Sequence, residues 1–310
     1  MKISIVIPVY NEEKSLQQLY KEIKVELNQI EHELIFIDDG STDNGFSIMK
    51  ALAETDNKVK VIKFRSNFGK SAALQSGFEH ATGDYVFTID SDLQDLPKEI
   101  PLFIKKIEEG YDLVSGWKQK RKDPLIRRIS SYFYNLITSI LFKLRLHDFN
   151  CGFKLYRYEV VKELNIYGEM HRYIPVLASA NGFKVTELPV EHRARKHGKT
   201  KFGKERYLRG FFDLLTVRLI THYIRSPLYL FGGIGFICSF SGFLIGLYLT
   251  FLKIFYNVHL SNRPLLFMSI LLIMVGLQFF SVGLIGELLV KQTRKNNRKE
   301  TISIQKTLNL

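Results

Sequence analysis

The sequence predicts an α/β fold with a mostly parallel sheet, followed by a hairpin of two transmembrane helices. Three observations lead there. Short β-branched and aromatic runs alternate with helical patterns through the first two thirds of the chain, as right-handed strand–helix–strand crossovers require. Several runs end in acidic residues, which a parallel sheet gathers along one edge, where open α/β folds bind ligands. Finally, residues 228–252 and 265–286 contain no charged side chain, and each run is long enough to cross ~30 Å of hydrocarbon.

Residues 3–9 make a first strand and 13–28 an amphipathic helix. A second strand, 34–37, ends in Asp38-Asp39-Gly40-Ser41, and a helix over 44–54 follows. Residues 59–64 form a third strand and 69–80 a helix. The fourth strand, 85–89, is apolar throughout, as a strand buried on both faces should be, and runs into Asp90-Ser91-Asp92-Leu93-Gln94-Asp95. A helix over 97–109 and strands over 112–115 and 184–190 complete the pattern. Between them, residues 127–146 carry Ile129, Phe133, Leu136, Ile137, Ile140, Leu141 and Leu144 on one broad helical face behind Arg127 and Arg128. That face suits either packing on the sheet or lying in a membrane interface. Residues 206–223 repeat the pattern just before the first span.

The net charge of +13 is concentrated. Residues 117–128, 192–209 and the tail from Lys291 carry +17 between them, leaving −4 for the remainder. Such local excess fits anionic lipid heads or phosphorylated substrates, and no nucleic-acid motif accompanies it, so nucleic acid is not expected as a partner. All three clusters flank the same side of the hairpin, which the positive-inside rule makes cytoplasmic. The expected domains are 1–225, 226–290 and a basic tail, 291–310. Gly232, Gly233, Gly235, Gly242 and Gly246 in the first span allow close packing between spans or between subunits, so a homo-oligomer is possible. Two cysteines, Cys151 and Cys238, make no disulfide framework, and residues 3–9 are too short for a signal peptide.

Asp90 and Asp92, at the end of a buried strand, are hard oxygen ligands of the kind that hold Mg²⁺ or Mn²⁺ with substrate phosphates completing the shell. An acidic turn capping the next helix is the plainer reading. Asp38-Asp39-Gly40-Ser41 offers either a nucleoside-binding acid or an ordinary Asp-Gly turn. Gly69, before a helix, lets backbone approach a phosphate, but neither a Walker loop nor a G-x-G-x-x-G occurs, which disfavours a dinucleotide oxidoreductase.

The ordered set Ile7-Pro8-Val9-Tyr10-Asn11-Glu12-Glu13, Asp38-Asp39-Gly40-Ser41, Asn67-Phe68-Gly69-Lys70 and Asp90-Ser91-Asp92-Leu93-Gln94-Asp95 resembles glycosyltransferase family 2, nearest its polyprenyl-phosphate glycosyltransferases. The resemblance implies the GT-A fold for the cytoplasmic domain. It places Pro8, Tyr10, Glu12, Asp39, Gly69, Lys70 and Asp90 around a nucleotide sugar, and Asp90, Asp92 and Gln94 around Mg²⁺ or Mn²⁺. Asp148-Phe149-Asn150-Cys151-Gly152-Phe153-Lys154 resembles a further family segment. By that likeness Asp148 orients the acceptor or acts as base, with Asp92 the second catalytic carboxylate, and Lys154 meets a phosphate. The stretch His192 to Gly203 resembles the family's basic loop, giving Arg193, Arg195 and Lys201 as phosphate contacts. Lys118 and Arg121 offer either phosphate contacts or a solvated charge run. His171 either faces the cleft or serves in helix capping or packing. The implied reaction is inverting transfer of a sugar from a nucleotide diphosphate, UDP-glucose or a related UDP-sugar, to undecaprenyl or dolichyl phosphate at the inner face of a bacterial plasma membrane. GDP-mannose is the alternative donor. A processive polysaccharide synthase is disfavoured, since the only tryptophan, Trp117, lies outside any Gln-x-x-Arg-Trp motif. A non-catalytic tethered binding module is the remaining alternative.

Overall fold

Apolar strands that alternate with one-faced helices bury both sheet faces only if the helices cross back over them, and the chain does this three times in succession. The computed structural model describes residues 1–119, 125–193, 213–214, 216–219, 221, 227–257, 259, 264–295 and 304–308. Two units are resolved, residues 1–214 with 300–310, and residues 215–299.

In the first unit the order is β1 (Lys2–Val9), α1 (Leu16–Glu26), β2 (Glu31–Asp38), α2 (Gly45–Thr55), β3 (Val59–Phe64), α3 (Lys70–His80) and β4 (Tyr85–Thr88). A 3₁₀ turn, Pro97–Glu99, leads into α4 (Ile100–Glu108), then β5 (Leu113–Lys118), α5 (Leu125–Phe142), β6 (Lys154–Arg157) and α6 (Tyr158–Glu163). A second 3₁₀ turn, Met170–Tyr173, precedes α7 (Ile174–Ala180) and β7 (Val185–Val190). The second unit holds α8 (Pro227–Tyr256) and α9 (Pro264–Lys295), after which β8 (Ile304–Leu308) rejoins the first.

The eight strands form one sheet in the order β7-β5-β6-β4-β1-β2-β3-β8. β4, β1, β2 and β3 are mutually parallel, as expected. β6 runs antiparallel between β4 and β5, and β8 antiparallel on the β3 edge. Neither was read from the sequence. β6 is only four residues long and opens on Lys154, and β8 lies in what reads as a charged tail. The acidic ends of β2 and β4 lie along one edge of the sheet but are not adjacent. β1 separates them, because its two edges take both strands, with Val9 opposite Asp38 and Val6 opposite Thr88.

Phe87 of β4, Phe103 of α4 and Phe153 pack edge to face with centroids 4.6–5.3 Å apart. Such pairs contribute about 0.5–1.5 kcal/mol each beyond area burial. They fix the chain on either side of Gly152 against the end of β4. The expected apolar face of α5 does not pack on the sheet: Phe133 (56%), Leu136 (41%), Ile137 (52%) and Ile140 (69%) are exposed. The buried side carries Asn135 and Thr138 instead.

α8 and α9 are long and apolar enough to cross a membrane. They approach closely at small residues: Ser269 Oγ donates to the Gly242 carbonyl at 2.8 Å, and a side chain at Gly242 would meet the Ser269 carbonyl. The expected helix over 206–223 lies mostly outside the described residues.

At the opposite sheet edge from the acidic loops, Glu33 on β2 is buried. It accepts from Ser4 Oγ (2.5 Å) and from Thr82 N (2.8 Å) and Oγ1 (2.9 Å), with Lys60 Nζ at 3.1 Å. Burial alone would raise its pKa, but these donors prevail and bring it from 4.5 to about 2. A depressed carboxyl stabilises the fold fully above its unfolded pKa, and the contribution disappears as pH falls through the folded value. Acid unfolding of the wild type should therefore lose on the order of 2–3 kcal/mol between about pH 4.5 and 2 from this group. Glu33→Gln, measured by denaturant titration at several pH values, should remove most of that slope; an unchanged slope refutes the assignment.

Candidate active site

The β1 and β2 ends deliver two interlocked loops. Asn11, in a left-handed conformation (φ 53°), donates from its backbone to Ser41 Oγ at 3.0 Å, and its side chain accepts from Thr42 N at 2.8 Å. Glu13 N donates to Asp43 Oδ2 and Asn44 N returns a bond to Glu13 Oε2, both at 3.0 Å. Pro8, Tyr10 and Glu12 are half-buried along this seam. Asp39 is 4% exposed and accepts from the backbone of Phe68 (2.7 Å) and Gly69 (3.0 Å), so it draws the Ser66–Lys70 loop onto the β2 end. Gly40 (φ +72°) permits that approach, since a side chain there would lie 2.5 Å from the Ser66 carbonyl carbon. Burial, with Asp38 adding, pushes the Asp39 carboxyl up to about 6 against the two backbone donors.

Past β4, Asp90 receives Lys70 Nζ at 2.5 Å. Burial disfavours its charge, but the ammonium groups of Lys70, Lys118 and Lys154 outweigh that and hold the carboxyl below the ordinary range. On its other side Gly152 leaves room: a side chain there would come within 2.5 Å of Asp90 Oδ2. Thr88 Oγ1 fastens this contact by donating to the Gly152 carbonyl at 2.7 Å. Asp92 and Gln94 are half-buried, and Gln94 N donates to Asp92 Oδ1 at 3.2 Å. Two carboxylates and an amide oxygen are the hard donor set a divalent cation takes, and the Lys70 ammonium already occupies a cation's place at Asp90. Among the described residues no group of three or more His, Cys, Asp or Glu exists to hold a metal alone, so water or substrate oxygens would complete any shell.

Asp148 is 1% exposed, not a free loop carboxylate, and accepts from Asn150 N at 3.1 Å. Asn135 of α5 grips the same segment, donating to the His147 carbonyl at 2.7 Å. Lys154 is 2% exposed and donates to the Cys151 carbonyl. Arg193 meets the metal-candidate loop through its backbone: Arg193 N donates to the Gln94 carbonyl at 2.9 Å, and Gln94 Nε2 to the Arg193 carbonyl at 3.4 Å. Its guanidinium instead bonds both Glu22 oxygens at 3.0 Å. Arg121, Arg195 and Lys201 lie outside the described residues.

Sequence reasoning left two contributors, Lys118 and His171, undecided and did not see the part of a third, Gly152. Lys118, read as phosphate contact or solvated charge, is 13% exposed and paired with buried Asp95 at 2.8 Å. Burial works against its charge, but Asp95, Cys151 and Asp90 raise its pKa. Gly152 was read only as part of a motif, and its contact spans 62 residues of sequence, which no local pattern reveals. His171 does not cap α7; its ring faces a cavity shared with Lys70, Gly152 and Lys154. A histidine followed by arginine ahead of an Ile-Pro helix start was the available signal.

Residues 4–164 match the family model described as glycosyl transferase family 2. The dodecaprenyl-phosphate galacturonate synthase of Rhizobium johnstonii is 34% identical over 298 residues, covering 94% of this chain and 88% of that protein. An undecaprenyl-phosphate 4-deoxy-4-formamido-L-arabinose transferase of Shewanella sediminis is 38% identical over 289 residues, covering 92% and 86%. Among solved structures, glucosyl-3-phosphoglycerate synthase of Mycobacterium tuberculosis, crystallised with Mn²⁺, UDP-glucose and phosphoglyceric acid, superposes with a TM-score of 0.56 at 20% identity over 71% of this chain and 79% of that one. The likeness to that structure is one of fold, GT-A with a mixed sheet.

Gly152→Ala tests the Asp90 contact. The added carbon must displace the carboxylate, so Mn²⁺-dependent binding of a nucleoside diphosphate, read by calorimetry, should weaken about tenfold, ~1.4 kcal/mol, with an unchanged circular dichroism spectrum. Unaltered affinity means Asp90 has no part in cation binding.

Proposed function

The chain belongs to glycosyl transferase family 2, and from that premise we propose that it transfers a sugar from a nucleotide diphosphate to a polyprenyl phosphate at a membrane surface. The observation that carries the reading is the Asp90 carboxylate, held at the end of β4 between Lys70 and the Asp148–Lys154 segment. One wall faces the loops of β1 and β2; the other is the segment assigned to the acceptor.

In this reading Pro8, Tyr10, Glu12 and Asp39 hold the nucleoside, and Gly69 and Lys70 its phosphates. Asp90, Asp92 and Gln94 would hold Mg²⁺ or Mn²⁺, which would supply positive charge to the departing diphosphate. Lys70, which meets Asp90, would also be within the site to neutralise substrate phosphate. An acceptor phosphate oxygen attacks the anomeric carbon as the bond to the nucleoside diphosphate breaks, inverting the centre without a covalent enzyme intermediate. The acceptor is anionic at neutral pH, so little base catalysis is needed. Buried Asp148 therefore serves by shaping Asn150–Lys154 and lets Lys154 meet phosphate, with Arg121, Arg193, Arg195 and Lys201 as further cations. Named relatives support a polyprenyl-phosphate acceptor. The fold neighbour that holds UDP-glucose supports UDP-glucose or a related UDP-sugar as donor.

Residues 226–290 span the bacterial inner membrane, with 1–225 and 291–310 cytoplasmic, by the placement of the basic clusters. The exposed apolar face of α5 rests in the interface.

Asp92→Ala should abolish transfer from a nucleotide sugar to undecaprenyl phosphate while the protein remains folded in membranes; substantial residual transfer rules out the metal role. A panel of UDP- and GDP-sugars assayed with wild type identifies the donor, and turnover confined to GDP-mannose would overturn the UDP assignment. Because Asp39 is pushed up to about 6, its carboxylate is lost as pH falls through that value. The donor KM should rise below about pH 6, and Asp39→Asn should flatten this dependence. A wild-type KM constant from pH 7.5 to 5 argues against Asp39 as a donor ligand.

A further inference from the structure

Lys143 and Arg145 belong to none of the three basic clusters of the sequence, and both stand in the connector between α5 and β6. α5 ends at Phe142, and Lys143 takes a left-handed conformation (φ 54°) that turns the chain out of the helix. Beyond it exposure alternates. Lys143, Arg145 and His147 are exposed, whereas Leu144 is half-buried and Leu146 buried. Lys143 and Arg145 therefore share the outer side of this run, and among the described residues neither is paired with a carboxylate.

The run is held at both ends. At one, the His147 ring lies on Trp117 with centroids 4.1 Å apart and planes 15° from parallel. Its Nδ1 meets Glu187 Oε1, its backbone N–H donates to Glu187 Oε2 at 2.7 Å, and its carbonyl accepts from Asn135 at 2.7 Å. Both Glu187 oxygens are committed to His147, so the carboxylate that meets the connector leaves Lys143 and Arg145 their charge. At the other end stands the exposed face of α5, with Phe133, Leu136, Ile137 and Ile140. Lys143 follows Ile140 by three residues, one turn further along. An apolar helical face that ends in fixed, exposed cations matches a lipid group for group, acyl chain first and then phosphate. Long basic side chains suit that boundary, since their stems lie along apolar surface while their charged ends reach the headgroups.

We propose that Lys143 and Arg145 bind the phosphate of an anionic phospholipid at the end of α5. The site is separate from the transfer reaction and rests only on α5 lying in the membrane interface. A soluble phosphorylated ligand has no use for the apolar face beside the cations, and a zwitterionic headgroup brings an ammonium that opposes them. The segment assigned to the acceptor begins where the connector turns inward, at buried Asp148, and so presents a different surface. A lipid seated on Lys143 and Arg145 fixes the level of that segment relative to the headgroups, because His147 joins the two.

Trp117 is the only tryptophan and stacks on His147, so its emission reports on this connector. The full-length protein is placed in phosphatidylcholine vesicles that contain a small share of either brominated phosphatidylcholine or brominated phosphatidylglycerol. Brominated phosphatidylglycerol should quench Trp117 as strongly as an about fivefold larger share of brominated phosphatidylcholine. Lys143→Gln combined with Arg145→Gln should bring the two lipids level. Raising the potassium chloride concentration should do the same in the wild type, which gives an answer even if the variant folds poorly. Equal quenching by the two lipids in the wild type, or a preference that survives the double substitution, overturns the site. Undecaprenyl phosphate added without donor should leave the preference in place; its loss at equimolar acceptor would assign the cations to the acceptor and overturn the proposal. Quenching by neither lipid would take α5 out of the interface, and the proposal with it. Failure of the transferase reading would appear separately, as activity surviving in Asp92→Ala.

Discussion

A carboxylate kept ionised inside the protein needs positive charge close by and a wall that leaves it room, and Asp90 has both. Lys70 reaches it from the start of α3, Lys118 and Lys154 act from further off, and Gly152 yields the space a side chain would fill. Each belongs to a different element, so the site exists only when α3, β5 and β6 are all docked around the end of β4. The Phe87, Phe103 and Phe153 cluster lies directly beneath and ties that docking to core packing. Stability and site geometry are therefore coupled through the same few residues.

That coupling explains which parts were legible in the sequence. The parallel half was readable because each strand is an apolar run followed by a helical pattern, and β3 falls where the residues place it, at Val59–Phe64. The acidic ends of β2 and β4 were readable for the same reason. β6 was not: four residues beginning with a buried lysine have no period of their own, and the strand forms because Thr88 and Phe87 present partners to it. Lys118 could read as a solvated charge because lysine usually is one, yet its pairing with buried Asp95 excludes that reading. For α5 the residues left sheet packing and an exposed apolar face both open, and Asn135 and Thr138 face inward because Asn135 has backbone to satisfy at His147 and Phe149.

Asn135 also bears on how a soluble donor and a lipid acceptor meet. One side of α5 exposes Phe133, Ile137 and Ile140, and the other holds the loop that carries Asp148. A helix seated in the headgroup region by its apolar face would set the height of that loop, so acceptor access would follow from the depth of the helix rather than from loop motion. The hydrogen bond from Asn135 to the His147 carbonyl makes this mechanical, because the backbone of the loop cannot shift without breaking it.

The same economy of charge runs through the acceptor side. Asp148 is buried and accepts from Asn150 N, and Lys154 is buried in the same segment. Two phosphorylated substrates would repel each other, and bringing them together beside Asp38, Asp39, Asp90, Asp92 and Asp95 would demand added positive charge. Lys70, Lys118 and Lys154 supply it from within the fold, each opposed by burial and each held by a named partner. Because those ammonium groups are in place in the folded chain, the electrostatic cost of assembling the site is met during folding.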